Sequence, residues 1–335
     1  MRSLFLSLLG AGILSGCSHY PLEKPVRRPV PIPSIYREHG YVEQTKFELQ
    51  QTPIRERSRY TVKDISFMSE GLRGREVSFR YYDIRGKRKT PAIVILPILG
   101  GGRYDAEEHV ARYYARHGFS SVILHRKHLS KEVRDILNLD GVLRESIVDS
   151  RNVVDWLCAQ EDIDSSCLGL FGISFGGIKA SMLLPLEERF KGAVLALVGG
   201  DLAYIVAHTT EPGLAERRDQ LLKKNKMSLA DGEERLRKYV LYEPLKLAPS
   251  VEARKVLMVL LRGDTVVPYK KGIELRKALG HPEMLEVHGD HYSKWALVYV
   301  PWVRRETLDF FRKRFAEEGT SRVVPGSGAR GARER

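Results

Sequence analysis

The stretch Cys167-Leu168-Gly169-Leu170-Phe171-Gly172-Ile173-Ser174-Phe175-Gly176-Gly177 constrains the fold more than any other part of this chain. An apolar run leads into Gly172, and a helical pattern begins by Gly176 with no loop between them. A strand that passes directly into a helix about one apex residue forces that residue into strained dihedrals and presses the two backbone limbs together. Only very small residues fit two positions either side of the apex, which is where Gly172 and Gly176 stand. The apex, Ser174, then projects from a strand end at a helix N-terminus, where amides favour negative charge. G-x-S-x-G also recurs as a plain Gly-Ser turn, so the flanking pattern decides its meaning.

The remaining pattern supplies that context. Residues 60–67 and 76–82 alternate and are β-rich, with turn residues at 70–74. Ala92-Ile93-Val94-Ile95-Leu96 lies between Pro91 and Pro97 as a continuous apolar run, as expected of a strand covered on both faces. Helices are expected over 105–117, 143–157, 176–184 and 303–315, and further strands over 120–124, 168–171, 193–198, 256–261 and 286–288. Repeated strand–helix units predict an α/β fold: a mostly parallel central sheet with helices on both faces. Residues 202–248 break this rhythm with two charged helical stretches, 214–225 and 228–241, and no strand between them. They read as a helical insertion, a lid or substrate wall over the C-terminal edge of the sheet.

With 43% hydrophobic and 29% charged residues, the 335-residue chain is neither disordered throughout nor fibrous. Three Cys are too few for a disulfide scaffold or an all-thiolate zinc site, and no metal is expected. The net charge of +13 raises nucleic-acid binding, but the positive residues are spread along the chain without a zinc-finger, RRM or KH signature. No nucleic acid partner is expected; the basic surface suits anionic lipid or polysaccharide.

Met1 and Arg2 precede an apolar run from Leu4 to Leu14, the length of a secretory core and too short to span a bilayer. The run ends in Leu14-Ser15-Gly16-Cys17, which resembles a bacterial lipobox. That resemblance implies a signal peptide over 1–16, a diacylglycerol on Cys17 and a lipid bilayer as partner. Ser18 rather than Asp beside the Cys resembles the outer-membrane sorting pattern, which implies a periplasm-facing envelope protein. Prolines at 21, 25, 29, 31 and 33 predict an extended tether over 17–55, lifting a body at 56–316 off the membrane. Residues 317–335 are expected to be a disordered basic tail. Cys158 and Cys167 flank a short loop, and in an oxidising compartment they either form a disulfide or stay as two buried thiols.

From residue 89 to 315 the chain resembles the α/β-hydrolase superfamily, in the branch of dienelactone hydrolases, acetyl esterases and prolyl-oligopeptidase catalytic domains. The resemblance implies a Ser–acid–His triad in that chain order, with Ser174 as nucleophile and no cofactor. The acid it implies is Asp264, in Gly263-Asp264-Thr265-Val266-Val267-Pro268 after a late strand; Asp201, after Gly199-Gly200, is the competitor. The base is His291, which follows Gly289 and precedes Tyr292, whereas His288 falls in the strand end. The amide of Phe175 is one expected oxyanion donor. The second comes from Pro97-Ile98-Leu99-Gly100, where Leu99 is preferred over Ile98.

The function expected from these features is a membrane-anchored serine hydrolase cleaving carboxylic esters, acting on a small-molecule or acylated envelope substrate. A serine peptidase or amidase on the same triad and a non-catalytic envelope binding lipoprotein are the alternatives. Oligomeric state is not legible in the sequence.

Overall fold

A computed structural model describes residues 17–36, 40–71, 74–86, 89–100, 103–125, 138–293 and 300–321. The expected signal peptide lies outside the described residues, as does the expected 317–335 tail beyond 321; its first residues, 317–321, instead continue the last helix, Pro301–Ser321. Strands β1 (Ser18–Tyr20), β2 (Gln50–Glu56), β3 (Tyr60–Met68), β4 (Glu76–Ile84), β5 (Thr90–Leu96), β6 (Ser120–Leu124), β7 (Ile163–Ile173), β8 (Phe190–Ala196), β9 (Val256–Leu261) and β10 (Glu283–Val287) make one sheet. Their order is β1-β10-β9-β8-β7-β5-β6-β4-β3-β2. The block from β6 to β10 is parallel, while β4, β3 and β2 at one edge and β1 at the other are antiparallel additions.

The helices are α1 (Asp105–Arg116), α2 (Leu139–Cys158), α3 (Phe175–Leu186), α4 (Leu202–His208), α5 (Pro212–Asn225), α6 (Leu229–Tyr239), α7 (Pro244–Leu247), α8 (Tyr269–Ala278) and α9 (Pro301–Ser321). The central strands carry continuous apolar runs where both faces are covered, as at residues 92–96 of β5 and along the whole of β9. On β5, Ile93 and Ile95 pack beneath α1 and α9, whereas Ala92, Val94 and Leu96 pack against α2 and α3. The same division runs along β9, with Leu257 and Val259 on the first face and Val256 and Met258 on the second. This two-sided burial is what the continuous apolar runs encode.

Two sequence expectations need correction, and one alternative left open by the sequence is decided. The proline-rich segment does not stand off the body. Its start is β1, and Glu23 N–H then donates to His281 O at 3.2 Å, Arg27 Nη2 to Ala278 O at 2.6 Å and Val30 N–H to Pro249 O at 3.0 Å. Tyr36, buried, closes this strap by donating its hydroxyl to Leu241 O at 2.9 Å and packing edge-on against Tyr242. Prolines deny the segment a ladder of its own, but the non-proline residues between them keep N–H groups for the body. The sheet also reaches outward to β2, within residues expected to be tether. Finally, Cys158 and Cys167 are not joined by a disulfide. Cys158 packs on the α2–α3 face and Cys167 on the α1–α9 face, so the sheet stands between them.

Candidate active site

The chain places β6 on one side of β5 and then returns to place β7 on the other. This reversal opens a crevice at the C-terminal ends of β5 and β7, the place where open α/β sheets bind ligands. The loop after β5 carries Ile98 and Leu99, and the turn after β7 carries Ser174.

Ser174 has φ 56° and ψ −123°, a conformation that costs a non-glycine residue roughly 1–3 kcal/mol. The surroundings hold it there. Its N–H donates to Ala196 O at 2.8 Å. A Cβ on Gly172 would sit 2.3 Å from Gly176 O, and one on Gly176 would sit 2.1 Å from Leu96 O. Gly176 therefore lets the helix start against the end of β5, which brings the 97–100 loop beside the apex. The N–H of Phe175, the first residue of α3, has no acceptor one turn earlier in its own helix.

Asp264 follows β9 and His291 opens a short 3-10 turn after β10. Backbone contact joins the two loops: Gly263 N–H donates to Gly289 O at 2.9 Å, and a Cβ on Gly263 would lie 2.8 Å from that oxygen. Asp264 Oδ1 accepts from the N–H groups of Val266 at 3.0 Å and Val267 at 2.9 Å, which fixes the carboxylate plane. Its Oδ2 lies 2.8 Å from His291 Nδ1, and His291 Nε2 lies 2.9 Å from Ser174 Oγ. All three side chains are buried, with residue exposures of 8% for Ser174, 5% for Asp264 and 6% for His291. In such a chain the carboxylate accepts from Nδ1–H, leaving Nε2 to accept from the hydroxyl.

The competing candidates lie elsewhere. His288 is exposed at the end of β10. Asp201 caps α4 and accepts from Arg237 Nη1 at 2.8 Å and Lys271 Nζ at 3.0 Å. Burial raises its pKa, but the bonds to Lys271 and Arg237 outweigh that and hold the carboxyl below its usual range. Beside it, Glu243 accepts from the N–H groups of Asp201 at 2.7 Å and Leu202 at 2.8 Å, with its pKa raised mainly by burial. These contacts tie the start of the insertion to its end. The insertion contains the two expected helices, as α5 and α6, and a shorter α4 that carried no separate sequence signal.

The site opens into a cavity of about 510 Å³. Ile98, Leu99, Phe175, Ile178, Val266 and Val267 supply its apolar wall, and Ile205, Thr209, Glu211 and Leu214 of the insertion close it from above. Glu107 is the residue that sequence reasoning missed. It is buried in the first turn of α1, and its Oε1 accepts the N–H of Ile98 at 2.9 Å. That bond commits the Ile98 amide and leaves the neighbouring Leu99 amide as the candidate donor of this loop. An acidic residue in a first helical turn reads as ordinary dipole compensation, so only the folded loop reveals its contact. Among the described residues, no group of three or more His, Cys, Asp or Glu could hold a metal ion.

The chain has the fold of the α/β hydrolases, and its Ser174, His291 and Asp264 meet at the crevice of that fold. Within that class, the model of the prolyl oligopeptidase family matches residues 141–293, a span that includes Ser174, Asp264 and His291. No curated protein sequence matches the chain. Among solved structures it is similar to acetyl xylan esterase from Paenibacillus sp. R4, at 15% identity over 84% of this chain and 92% of that one, with TM-score 0.64. It is similar also to acetyl xylan esterase 1 from Thermoanaerobacterium sp. JW/SL YS485, at 15% identity over 81% and 92% of the two chains, with TM-score 0.54. A third likeness is to 2,6-dihydroxy-pseudo-oxynicotine hydrolase, at 15% identity over 80% of this chain and 68% of that one, with TM-score 0.56. At such identities the likeness is one of fold.

Proposed function

We propose that this protein is a serine hydrolase that cleaves carboxylic esters and is held on the envelope membrane by a lipidated Cys17. The observation that carries the reading is the buried chain from Ser174 Oγ through His291 to Asp264, opening on an apolar cavity. Ser174 attacks the ester carbonyl while His291 Nε2 takes its proton, and Asp264 holds the imidazole and balances its charge. The amides of Phe175 and Leu99 stabilise the oxyanion. The alcohol leaves with the proton from His291. Water, deprotonated by His291, then releases the acid and restores the serine. The esterase names among similar folds favour ester substrates, while the family match favours a peptidase as the second reading.

A fluorophosphonate probe should label Ser174 alone, as read by peptide mapping, and the labelled protein should lose turnover of short p-nitrophenyl esters. Labelling at another residue, or faster turnover of peptide than of ester, would overturn the ester reading.

Glu107 serves here as a positioning residue that aims the Leu99 amide through Ile98. Glu107→Leu is expected to lower kcat by about 10²-fold with KM little changed, the usual scale for losing one oxyanion donor. Glu107→Gln keeps a carbonyl oxygen for the Ile98 N–H and should retain most of the rate. If both variants lose kcat equally, the Ile98 bond is not what Glu107 contributes.

A further inference from the structure

Cys17 leads directly into β1, where Ser18 pairs with Glu286 and Tyr20 with Met284. β10 is parallel to β9, so its last residues lie at the sheet edge that carries Ser174, Asp264 and His291. Because β1 is antiparallel to β10, it begins at that edge and runs away from it. Ser18 opposes the next-to-last residue of β10, a few positions before His291. Four strand spacings separate β1 from β7, so the end of β7 lies about 19 Å sideways from the start of β1. A lipid on Cys17 would therefore join the body at the level of the active site. The prolines come after β1 and lie on the body, so they provide no stand-off between lipid and sheet.

The same edge has the surface of an interfacial protein. The insertion that roofs the cavity exposes Leu229, Tyr239 and Leu241, and Tyr292 is exposed next to His291. Lys223 and Lys224 in the last turn of α5 and Lys226 at its C-cap, in the same insertion, are exposed as well. Exposed apolar and aromatic groups together with lysines on one insertion suit the boundary between acyl chains and anionic headgroups. The cavity behind this surface has an apolar wall and about 510 Å³, within the range that takes a drug-sized ligand.

We propose that the edge bearing Ser174 faces the bilayer that holds Cys17, and that the substrate is a long-chain acyl ester drawn from that bilayer. This rests on the esterase and lipid-anchor readings given above. It replaces a tethered body reaching outward for envelope glycans with one whose mouth is pressed to the lipid.

The test uses full-length lipidated protein in vesicles of phosphatidylcholine and phosphatidylglycerol, after mass analysis of the Cys17 peptide. A coumarin-bearing residue replaces Leu229 on the insertion, or Glu161 before β7 at the opposite sheet edge, and the vesicles carry a shallow doxyl-lipid quencher. The label at 229 should be about threefold dimmer than without quencher and the label at 161 nearly unchanged, as interfacial burial at one end requires. Equal quenching, or stronger quenching at 161, overturns the proposal while leaving the hydrolase and anchor readings intact. Cys17 without acyl mass overturns the proposal and the anchor together. For the substrate, a dodecanoyl ester in the same vesicles should turn over about tenfold faster than an acetylated oligosaccharide in solution, given the apolar wall. The opposite preference overturns the lipid substrate alone, and failure on every ester, short p-nitrophenyl esters included, overturns the hydrolase reading.

Discussion

Ser174→Ala is expected to lower kcat on a short p-nitrophenyl ester by about 10⁵-fold or more, with the fold intact. The reason lies in what the side chain does and does not hold. Ser174 Oγ bonds to His291 Nε2 at 2.9 Å, so its removal deletes the attacking atom and leaves the imidazole without that partner. The turn itself is built from backbone: Ser174 N–H donates to Ala196 O, and Gly172 and Gly176 permit the close approach of the two limbs. Alanine keeps that N–H and has the same Cβ at φ 56°, so the melting temperature should stay within a few degrees of the parent. Fluorophosphonate labelling should vanish in the same variant. Full turnover by a folded Ser174→Ala protein would mean that the chemistry sits elsewhere.

The elements legible in the sequence were those whose packing leaves a period or a steric rule. β5 and β9 were readable because both faces are buried and a continuous apolar run results, residues 92–96 in β5 and the whole of β9. The turn at Ser174 was readable because no residue larger than glycine fits at 172 or 176. β2 had no such signal, since all seven of its residues are exposed and neither face selects apolar side chains. β1 is three residues long, too short for any periodicity. The proline-rich strap has the composition of a spacer, and its attachment depends on acceptors at His281, Ala278 and Pro249 that only the folded body presents. For the site, Asp264 and His291 could each be singled out by local context. Their meeting is set by Gly263 against Gly289, a contact between two loops that sequence spacing does not report. Cys158 and Cys167 are close in sequence, which left their pairing open; the sheet that separates them is visible only in the fold.

Asp264→Asn should be nearly as damaging as loss of the serine, by a different route: kcat lower by about 10⁴-fold with KM little changed. Val266 and Val267 both donate to Asp264 Oδ1. An asparagine here must keep its carbonyl oxygen on those two N–H groups, because turning its NH₂ toward them would oppose donor to donor. Its NH₂ then faces His291 Nδ1, in the place of the oxygen now 2.8 Å away. Nδ1 is forced to accept, the ring proton moves to Nε2, and Nε2 donates to Ser174 Oγ instead of accepting from it. The base is thus present, correctly placed and in the wrong tautomer. Fluorophosphonate labelling should slow in step with kcat but still reach Ser174, which separates this variant from Ser174→Ala. A kcat within tenfold of the parent would remove Asp264 from the relay. Asp201 could not inherit the role without first giving up Lys271 and Arg237.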